Sequence, residues 1–229
     1  MSIRSWFFAA TYNRQIGRAE RAGLAEMRRR LVAEAVGDVL EVGGGTGANL
    51  AHYPASITSL TVTEPDVWML KRLSAHAESM KSNPVVMRAP AEDLPFDDDT
   101  FDTVVSTLVL CGVDDQPRAV RELHRVLRPA GRLLFLEHVR SDDPAVATKQ
   151  DRMNWLNRAV VCCDCNRPTL TTIEQAGFRV TSLQHTELPK APPFVRPAIT
   201  GTATVAARTG LSSAEPADRP FTIETTGRP

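Results

Sequence analysis

The chain has 229 residues, of which 42% are hydrophobic, enough for one substantial core but not for two full-sized domains. Its 27 basic and 27 acidic residues give a formal net charge of zero, which argues against the basic surface that nucleic-acid binding usually needs. The longest apolar run near the start, residues 6–10, is too short to cross a membrane. Three of the four cysteines lie within residues 162–165, unlike the dispersed cysteines of secreted disulfide proteins. We therefore expect a cytoplasmic protein with a small-molecule partner, no nucleic-acid partner and no integral membrane segment.

Short strands and helices alternate along the first 140 residues, which is typical of a parallel sheet covered on both faces. Residues 6–36 have apolar side chains at helical spacing and predict one or two amphipathic helices. After the first strand, residues 43–50 read as a glycine turn that opens a helix. The predicted strands of this part are residues 38–42, 59–63, 85–87, 103–110 and 132–136, and two further helices are predicted over residues 66–76 and 117–127.

The last third of the chain predicts a short helix over residues 170–176 and two extended runs over residues 178–188 and 196–205. A short proline-rich segment separates the two runs, so they should pair in antiparallel fashion. The expected fold class is therefore α/β, with a doubly wound, mostly parallel seven-stranded sheet that ends in an antiparallel hairpin. We expect one domain over residues 1–208, with residues 1–37 as an N-terminal helical cap, and a flexible C-terminal tail over residues 209–229.

The glycine turn is the strongest candidate for a ligand site, but alone it is ambiguous. Gly43, Gly45 and Ala48 also fit the looser dinucleotide-binding fingerprint, and Glu64 lies about 20 residues further on, where a ribose-binding acid is expected. At close approach of backbone to ligand, a side chain in place of these glycines would obstruct binding. This argument applies equally to a nicotinamide dinucleotide and to S-adenosylmethionine (SAM) as the ligand.

Glu41 favours SAM over the dinucleotide. It lies at the carboxyl end of a buried strand, where a carboxylate costs free energy unless it has partners, and the amino-acid part of SAM would supply one. SAM also carries a cationic sulfonium and no phosphate, so an acid-rich turn suits it.

Three segments resemble the class I SAM-dependent methyltransferases. Residues 39–47 look like their motif I, with Glu64 in the place of the second acidic signature, and residues 91–102 and 123–131 are similar to segments of the ubiquinone/menaquinone-type enzymes. A closer likeness is to the alkyl-thiol S-methyltransferase family, over residues 107–111, the Cys165-Asn166 step and residues 194–201. The resemblance implies a Rossmann-like, SAM-dependent methyltransferase that acts on a small hydrophobic acceptor, through a thiol sulfur or a phenolic or quinol oxygen. The alternatives are methylation of carbon in a quinone precursor, a nicotinamide-dependent oxidoreductase and a non-catalytic SAM-binding module.

The candidate site residues follow from these patterns and from the resemblance. Many family members have an aspartate for the adenine amino group where this chain has Pro90, so adenine contacts should come from the Ala91 backbone or Glu92. The expected cofactor-binding residues are Glu41, Gly43, Gly44, Gly45, Gly47, Asn49, Glu64, Pro65, Ala91, Glu92, Thr107 and Leu108. The expected residues of the substrate pocket are Phe8, Tyr12, Cys111, Trp155, Cys165 and Asn166.

His138 is the first candidate for a catalytic base, with Asp164 and Glu137 behind it, because all three lie at or after predicted strand ends. His185 is a further candidate. For His138 the structural alternative is a strand-end histidine bonded to a backbone carbonyl. No metal is expected, since residues 97–99 read as a solvated turn and the pair Cys162 and Cys165 has no second pair to complete a zinc site.

Overall fold

A single seven-stranded sheet forms the centre of the computed structural model. The model describes residues 16–161 and 163–205, without the side chains of residues 160 and 161. The strands are β1 (Asp38–Val42), β2 (Ser59–Thr63), β3 (Val85–Met87), β4 (Phe101–Thr107), β5 (Leu127–His138), β6 (Phe178–Glu187) and β7 (Pro197–Val205). Their order in the sheet is β3-β2-β1-β4-β5-β7-β6. Strands β1 to β5 pair in parallel, and β7 pairs antiparallel with both β5 and β6. The predicted fold class is confirmed.

Helices cover both faces of the sheet because the central strands are apolar on both sides. They are α1 (Ala25–Val32), α2 (Val67–Glu78), α3 (Gln116–Val126), α4 (Pro144–Val161) and α5 (Thr169–Gln175). On β5, Leu133 and Phe135 belong to the apolar cluster under α3 and α5, whereas Leu134 and Leu136 belong to the cluster under α1 and α2. Successive side chains of a strand point to opposite faces, so one strand supplies both cores.

Aspartate side chains determine where the helices α2 and α3 begin. The Asp66 side chain accepts hydrogen bonds from the backbone amides of Trp68 and Met69 and so caps α2. Asp115 does the same for α3 through the amide of Arg118. Each carboxylate satisfies amides that have no partner within the first helical turn. The helices α2 and α3 therefore begin where the sequence places a capping acid.

Four elements differ from the sequence-based expectation, one of them β5, which begins at Leu127 and not at residue 132. β4 ends at Thr107, three residues early, because Leu108 has a left-handed φ of 60° that turns the chain out of the strand. The glycine turn leads into a 3₁₀ turn, Leu50–His52, and not into an α-helix. Gly45 and Gly47 have φ values of 58° and 87°, which an α-helix cannot accommodate in its first turn. Finally, α4 is a helix of 18 residues that the sequence reading did not predict.

The described part of the N-terminal cap is helical, with residues 16–19, a π-helical turn (Glu20–Leu24) and α1 in succession. Gly23, with a φ of 131°, interrupts this helix. The predicted tail over residues 209–229 lies outside the described residues. Within residues 16–161 and 163–205, no helix combines the length and apolar character that crossing a membrane demands.

Candidate functional site

The glycine turn joins β1 to the next segment at the carboxyl end of the sheet. The Gly44 amide donates to the carbonyl of Thr63 at the end of β2, with an N–O distance of 2.9 Å. A Cβ on Gly44 would lie 2.3 Å from Cγ1 of Val62, so no larger residue fits there. A Cβ on Gly45 would instead face open space, with no heavy atom within 4 Å. The turn is therefore packed against the sheet on one side and open on the other.

Glu64 binds the backbone of this turn on its open side. Its two carboxylate oxygens accept hydrogen bonds from the backbone amides of Gly45 and Asp66, both at 2.9 Å. Burial raises the pKa of Glu64, and these two bonds act in the other direction. Since each carboxylate oxygen can accept more than one hydrogen bond, the group keeps acceptor capacity for a ligand.

Glu41 lies at the end of β1 and is buried, with 2% of its surface exposed. It accepts hydrogen bonds from Nδ2 of Asn49 at 2.9 Å and from the hydroxyl of Tyr53 at 2.8 Å. Burial raises the pKa of its carboxyl to about 7, although both bonds favour the ionised form. The sequence pointed to Glu41 and Asn49 as cofactor-binding residues, but it did not point to Tyr53.

Arg28 is a site residue that sequence reasoning missed. Its guanidinium is buried and donates to Oγ1 of Thr107 at 2.8 Å and to Oδ1 of Asn49 at 3.2 Å, and it pairs with Glu20. The signal was present, because Arg28 lies four residues after Leu24 and three before Leu31 and so falls on the buried face of the N-terminal helix. This arginine brings a positive charge from the cap to the ends of β1 and β4.

The other predicted cofactor residues surround this centre. Gly43 and Gly47 complete the turn, with φ values of 58° and 87°. Ala91 is buried, and Glu92 accepts hydrogen bonds from the amides of Asp114 and Asp115 at 2.8 and 3.4 Å. The remaining members are Pro65 after β2 and Thr107 and Leu108 at the end of β4. Adenine contacts from Glu92 would therefore share a carboxylate that already binds the loop after β4.

A second group of side chains lies beyond the ends of β4 and β5. Nδ1 of His138 is 3.4 Å from Sγ of Cys111 and 3.4 Å from Sγ of Cys163. All three residues are buried, and the cysteines are not in disulfides. The hydrogen bond from Cys111 and the contact with His138 lower the pKa of the Cys163 thiol, whereas that of Cys111 is raised. We call these three residues the sulfur–imidazole cluster.

Glu137 and Asp164, the other two predicted catalytic residues, are already bound on the protein side. Glu137 is fully buried, and its oxygens accept from Oγ of Ser106 at 2.7 Å and from the amides of Val109 and Leu110 at 3.0 and 3.1 Å. Asp164 pairs with Arg158 at 2.5 Å and Arg167 at 2.6 Å, which lowers its pKa against the opposing effect of burial. Both carboxylates therefore fix the loops around the sulfur–imidazole cluster.

The predicted substrate-pocket residues do not all share one environment. Cys111 belongs to the sulfur–imidazole cluster. Cys165, two residues after Cys163, is also buried, and its amide donates to Oδ1 of Asn154 at 3.1 Å. The Asn166 side chain donates to Asp151 at 3.0 Å. Trp155 is 71% exposed on α4, and its contact with substrate stays a prediction. Phe8 and Tyr12 lie outside the described residues.

His185, the remaining candidate base, lies on β6 and lines a groove of about 320 Å³ with residues 139–143 and residues of β7. Among the described residues, it has no part in the sulfur–imidazole cluster. The structure also brings two thiols and an imidazole together, where the sequence suggested only the pair Cys162 and Cys165 as a metal-binding candidate. The three members are far apart in sequence, so no spacing motif could have indicated them.

Comparison with known proteins places this geometry in a family. The family described as a methyltransferase domain matches residues 40–135. The human thiol S-methyltransferase TMT1A is 30% identical over 217 residues, which cover 86% of this chain and 85% of that protein. The ubiquinone/menaquinone biosynthesis C-methyltransferase UbiE of Idiomarina loihiensis is 36% identical over 104 residues, 43% of this chain and 41% of that protein.

The solved structures agree on the fold. A geranyl diphosphate methyltransferase in complex with SAM superposes with a TM-score of 0.62 at 12% identity, over 80% of this chain and 84% of that one. The expected recognition, cofactor and enzyme class are confirmed together. With its seven-stranded sheet, its glycine turn flanked by Glu41 and Glu64 and its match to TMT1A, the chain belongs to the class I SAM-dependent methyltransferases.

Proposed function

We propose that this enzyme transfers the methyl group of SAM to the sulfur of a small apolar thiol, with a phenolic or quinol oxygen as the second candidate acceptor. The choice of sulfur rests on how much of the chain each relative matches. The match to a thiol S-methyltransferase covers 86% of this chain, whereas the match to a quinone C-methyltransferase covers 43%. The longer match extends past residues 40–135, which the general methyltransferase family shares, into the part of the chain that carries Cys163.

The residues around the glycine turn fit SAM by charge and by space. When bound, SAM supplies a methyl group on a cationic sulfur that is already a good leaving group. We assign Glu41 to the α-ammonium group, Arg28 to the α-carboxylate and Glu64 to the ribose hydroxyls, because each is a buried charged group at the carboxyl edge of the sheet. The open space at Gly45 gives the nucleoside a place against the backbone.

The remaining cofactor contacts are proposed by position. Gly43, Gly44 and Gly47 shape the turn, and Asn49 and Thr107 orient Glu41 and Arg28 through their hydrogen bonds. Pro65, Ala91, Glu92 and Leu108 follow the ends of β2, β3 and β4, the edge at which open α/β sheets bind nucleotides. The Ala91 backbone is the better candidate for adenine, since Glu92 already accepts from the amide of Asp114.

Methyl transfer to a thiol needs little acid–base chemistry from the protein. A free thiol with a pKa of about 8.5 is only a few per cent thiolate at neutral pH, so a group that draws off its proton accelerates the reaction. Of the three predicted catalytic residues, only His138 has a polar side-chain atom without a partner among the described residues. That atom is its ring nitrogen Nε2. We therefore place His138 at the acceptor sulfur and give Glu137 and Asp164 positioning roles. The protein otherwise aligns the two reactants and excludes water.

The test is an assay with SAM labelled in its methyl group and a panel of small thiols, phenols and quinols. We expect label in thioethers of apolar thiols, identified by mass spectrometry, and at most slow transfer to oxygen. Gly45→Val is the control, because its side chain would enter the space assigned to the nucleoside, and circular dichroism should show whether its fold survives. Label on phenols or quinols but not on any thiol would contradict the choice of sulfur.

A further inference from the structure

The sulfur–imidazole cluster has the composition and dimensions of a metal site. We propose that Cys111, His138 and Cys163 bind one zinc ion and leave a coordination position for the sulfur of the thiol acceptor; the second part rests on the proposed function. The three ligand atoms lie within 4.8 Å of one another, and no other group of three His, Cys, Asp or Glu residues in the described part of the chain meets that condition. Two thiolates and an imidazole are ligands that zinc prefers.

The interatomic distances are those of a tetrahedral site before metal entry. Zinc–sulfur bonds of about 2.3 Å and zinc–nitrogen bonds of about 2.0 Å at tetrahedral angles set ligand sulfur and nitrogen roughly 3.5 Å apart. Nδ1 of His138 is 3.4 Å from each of the two sulfur atoms. Both nitrogen–sulfur distances therefore already match those of a zinc site.

Separate parts of the chain hold the three ligands in place. The amide of Asp164 donates to the carbonyl of Cys111 at 2.8 Å, and Oγ1 of Thr169 donates to the carbonyl of His138 at 3.0 Å. Nδ2 of Asn157 donates to the carbonyl of Cys163 at 2.6 Å. Because each ligand residue has its own backbone anchor, the cluster is organised without a metal to assemble it, as metal sites of defined geometry require.

Three protein ligands are the number that catalytic zinc sites use, with substrate or water in the fourth position. A thiol that binds there loses its proton to solvent as the sulfur–zinc bond forms, and no oxidant or reductant takes part. Zinc lowers the pKa of a bound thiol, so the acceptor would be held as thiolate at neutral pH. In the metal-bound enzyme, zinc would replace His138 as the group that promotes loss of the thiol proton, and His138 would serve as its ligand. The site would then discriminate in favour of soft sulfur over phenolic oxygen.

Cobalt(II) is the probe, because it takes zinc sites and its thiolate bonds absorb in the near ultraviolet. The full-length protein is stripped with a chelator, kept reduced, and titrated with cobalt and then with zinc. We expect one cobalt per chain, a thiolate charge-transfer band and its loss when zinc displaces cobalt. Absence of this band, or a stoichiometry far below one, would overturn the metal site without recourse to any variant. A Cys111–Cys163 disulfide recovered from protein isolated without reductant and unable to bind metal would equally overturn it.

Variants locate the site and separate it from the proposed reaction. Cys111→Ser and Cys163→Ser should each weaken zinc binding at least about 100-fold, whereas Cys165→Ser, a buried neighbour outside the cluster, should not. Equal loss in Cys165→Ser would contradict the assignment. Retained binding of S-adenosylhomocysteine shows that a variant is folded.

Addition of an apolar thiol to the cobalt protein tests the acceptor position. We expect a stronger charge-transfer band with the thiol and no change with a phenol of similar size. A band that the thiol leaves unchanged would refute acceptor binding at the metal. Metal binding without methylation of any thiol would instead refute the proposed function and leave the metal site standing.

Discussion

In the proposed site, Glu41 is the residue at which binding of a proton opposes binding of the cofactor. Burial raises its pKa to about 7; the bonds from Tyr53 and Asn49 and the charge of Arg28 oppose this rise, and the charge of Glu64 adds to it. A carboxyl with this pKa is half protonated at neutral pH. Because the bound α-ammonium group would favour the ionised form, cofactor binding and loss of the proton are linked.

We therefore expect S-adenosylhomocysteine to bind about tenfold more tightly at pH 8 than at pH 6, since the ionised fraction of Glu41 rises about that much between them. Glu41→Gln lacks both the proton and the charge, so it should bind more weakly and with little dependence on pH. Isothermal titration calorimetry measures both the affinity and, in buffers of different ionisation enthalpy, the proton released. A wild-type affinity that stays constant over this range would contradict the assigned role.

The raised pKa of Glu41 also makes the stability of the folded protein depend on pH. The folded protein holds the Glu41 proton more tightly than the unfolded chain, in which the pKa is near 4.5. Its contribution to stability is therefore fully present below pH 4.5 and is lost as the pH rises through about 7. In urea denaturation without ligand, the wild type should lose stability relative to Glu41→Gln across this range.

Single residues of the site divide into those that a local pattern reveals and those that only the fold assembles. Glu41, Gly45 and Glu64 could be predicted because each stands beside a strand end in a recognisable order. Arg28 and Cys163 were missed. The position of Arg28 on the buried helix face could be read from the sequence, but its partner Thr107 could not, and Cys163 meets His138 only in the folded chain. Contacts between distant residues depend on packing, which a local pattern does not encode.

At the scale of elements, α4 is attached to the rest of the protein by amide side chains more than by apolar ones. Gln150, Asn154 and Asn157 recur at helical spacing and all bond to the segment 163–165. Gln150 is fully buried and also bonds the carbonyl of Val139 and the amide of Ser141. This polar face explains why no apolar period predicted the helix. It also makes α4 a candidate for local opening.

Gln150→Leu should loosen α4 while the sheet stays folded. The change leaves the carbonyls of Val139 and Cys165 and the amide of Ser141 without their partner, at a cost of about 1–3 kcal/mol for each buried group that water does not reach. Hydrogen exchange should become faster over Pro144–Val161 and unchanged in β1 and β4. Arg152→Ala, at an exposed position of the same helix, is the matched control. Equal acceleration in the control, or uniform acceleration over the whole protein, would contradict a local role.

At the scale of the whole molecule, the doubly wound topology explains why the fold was predictable. Parallel strands joined by helices present their carboxyl ends at one edge, so Glu41, Glu64 and Thr107 converge although the chain between them is long. The departures are local: a 3₁₀ turn where a helix was expected, an early end of β4 and the added helix α4. They arise where left-handed backbone or polar contacts, and not apolar periodicity, decide the conformation.

A ligand at this edge should stabilise the whole molecule, because the assigned contacts come from α1, β1, β2 and β4 together. At a concentration of 100 times its dissociation constant, S-adenosylhomocysteine should add about 2.7 kcal/mol, which raises Tm by roughly 5–10 °C for a domain of this size. NAD and NADP should give no shift, in contrast to the dinucleotide alternative. Arg28→Met should reduce the shift at the same ligand concentration, since the assigned partner of the α-carboxylate is lost, while Arg30→Met, exposed on the same helix, should keep it. Differential scanning fluorimetry measures all of these, and an undiminished shift in Arg28→Met would remove Arg28 from the binding site.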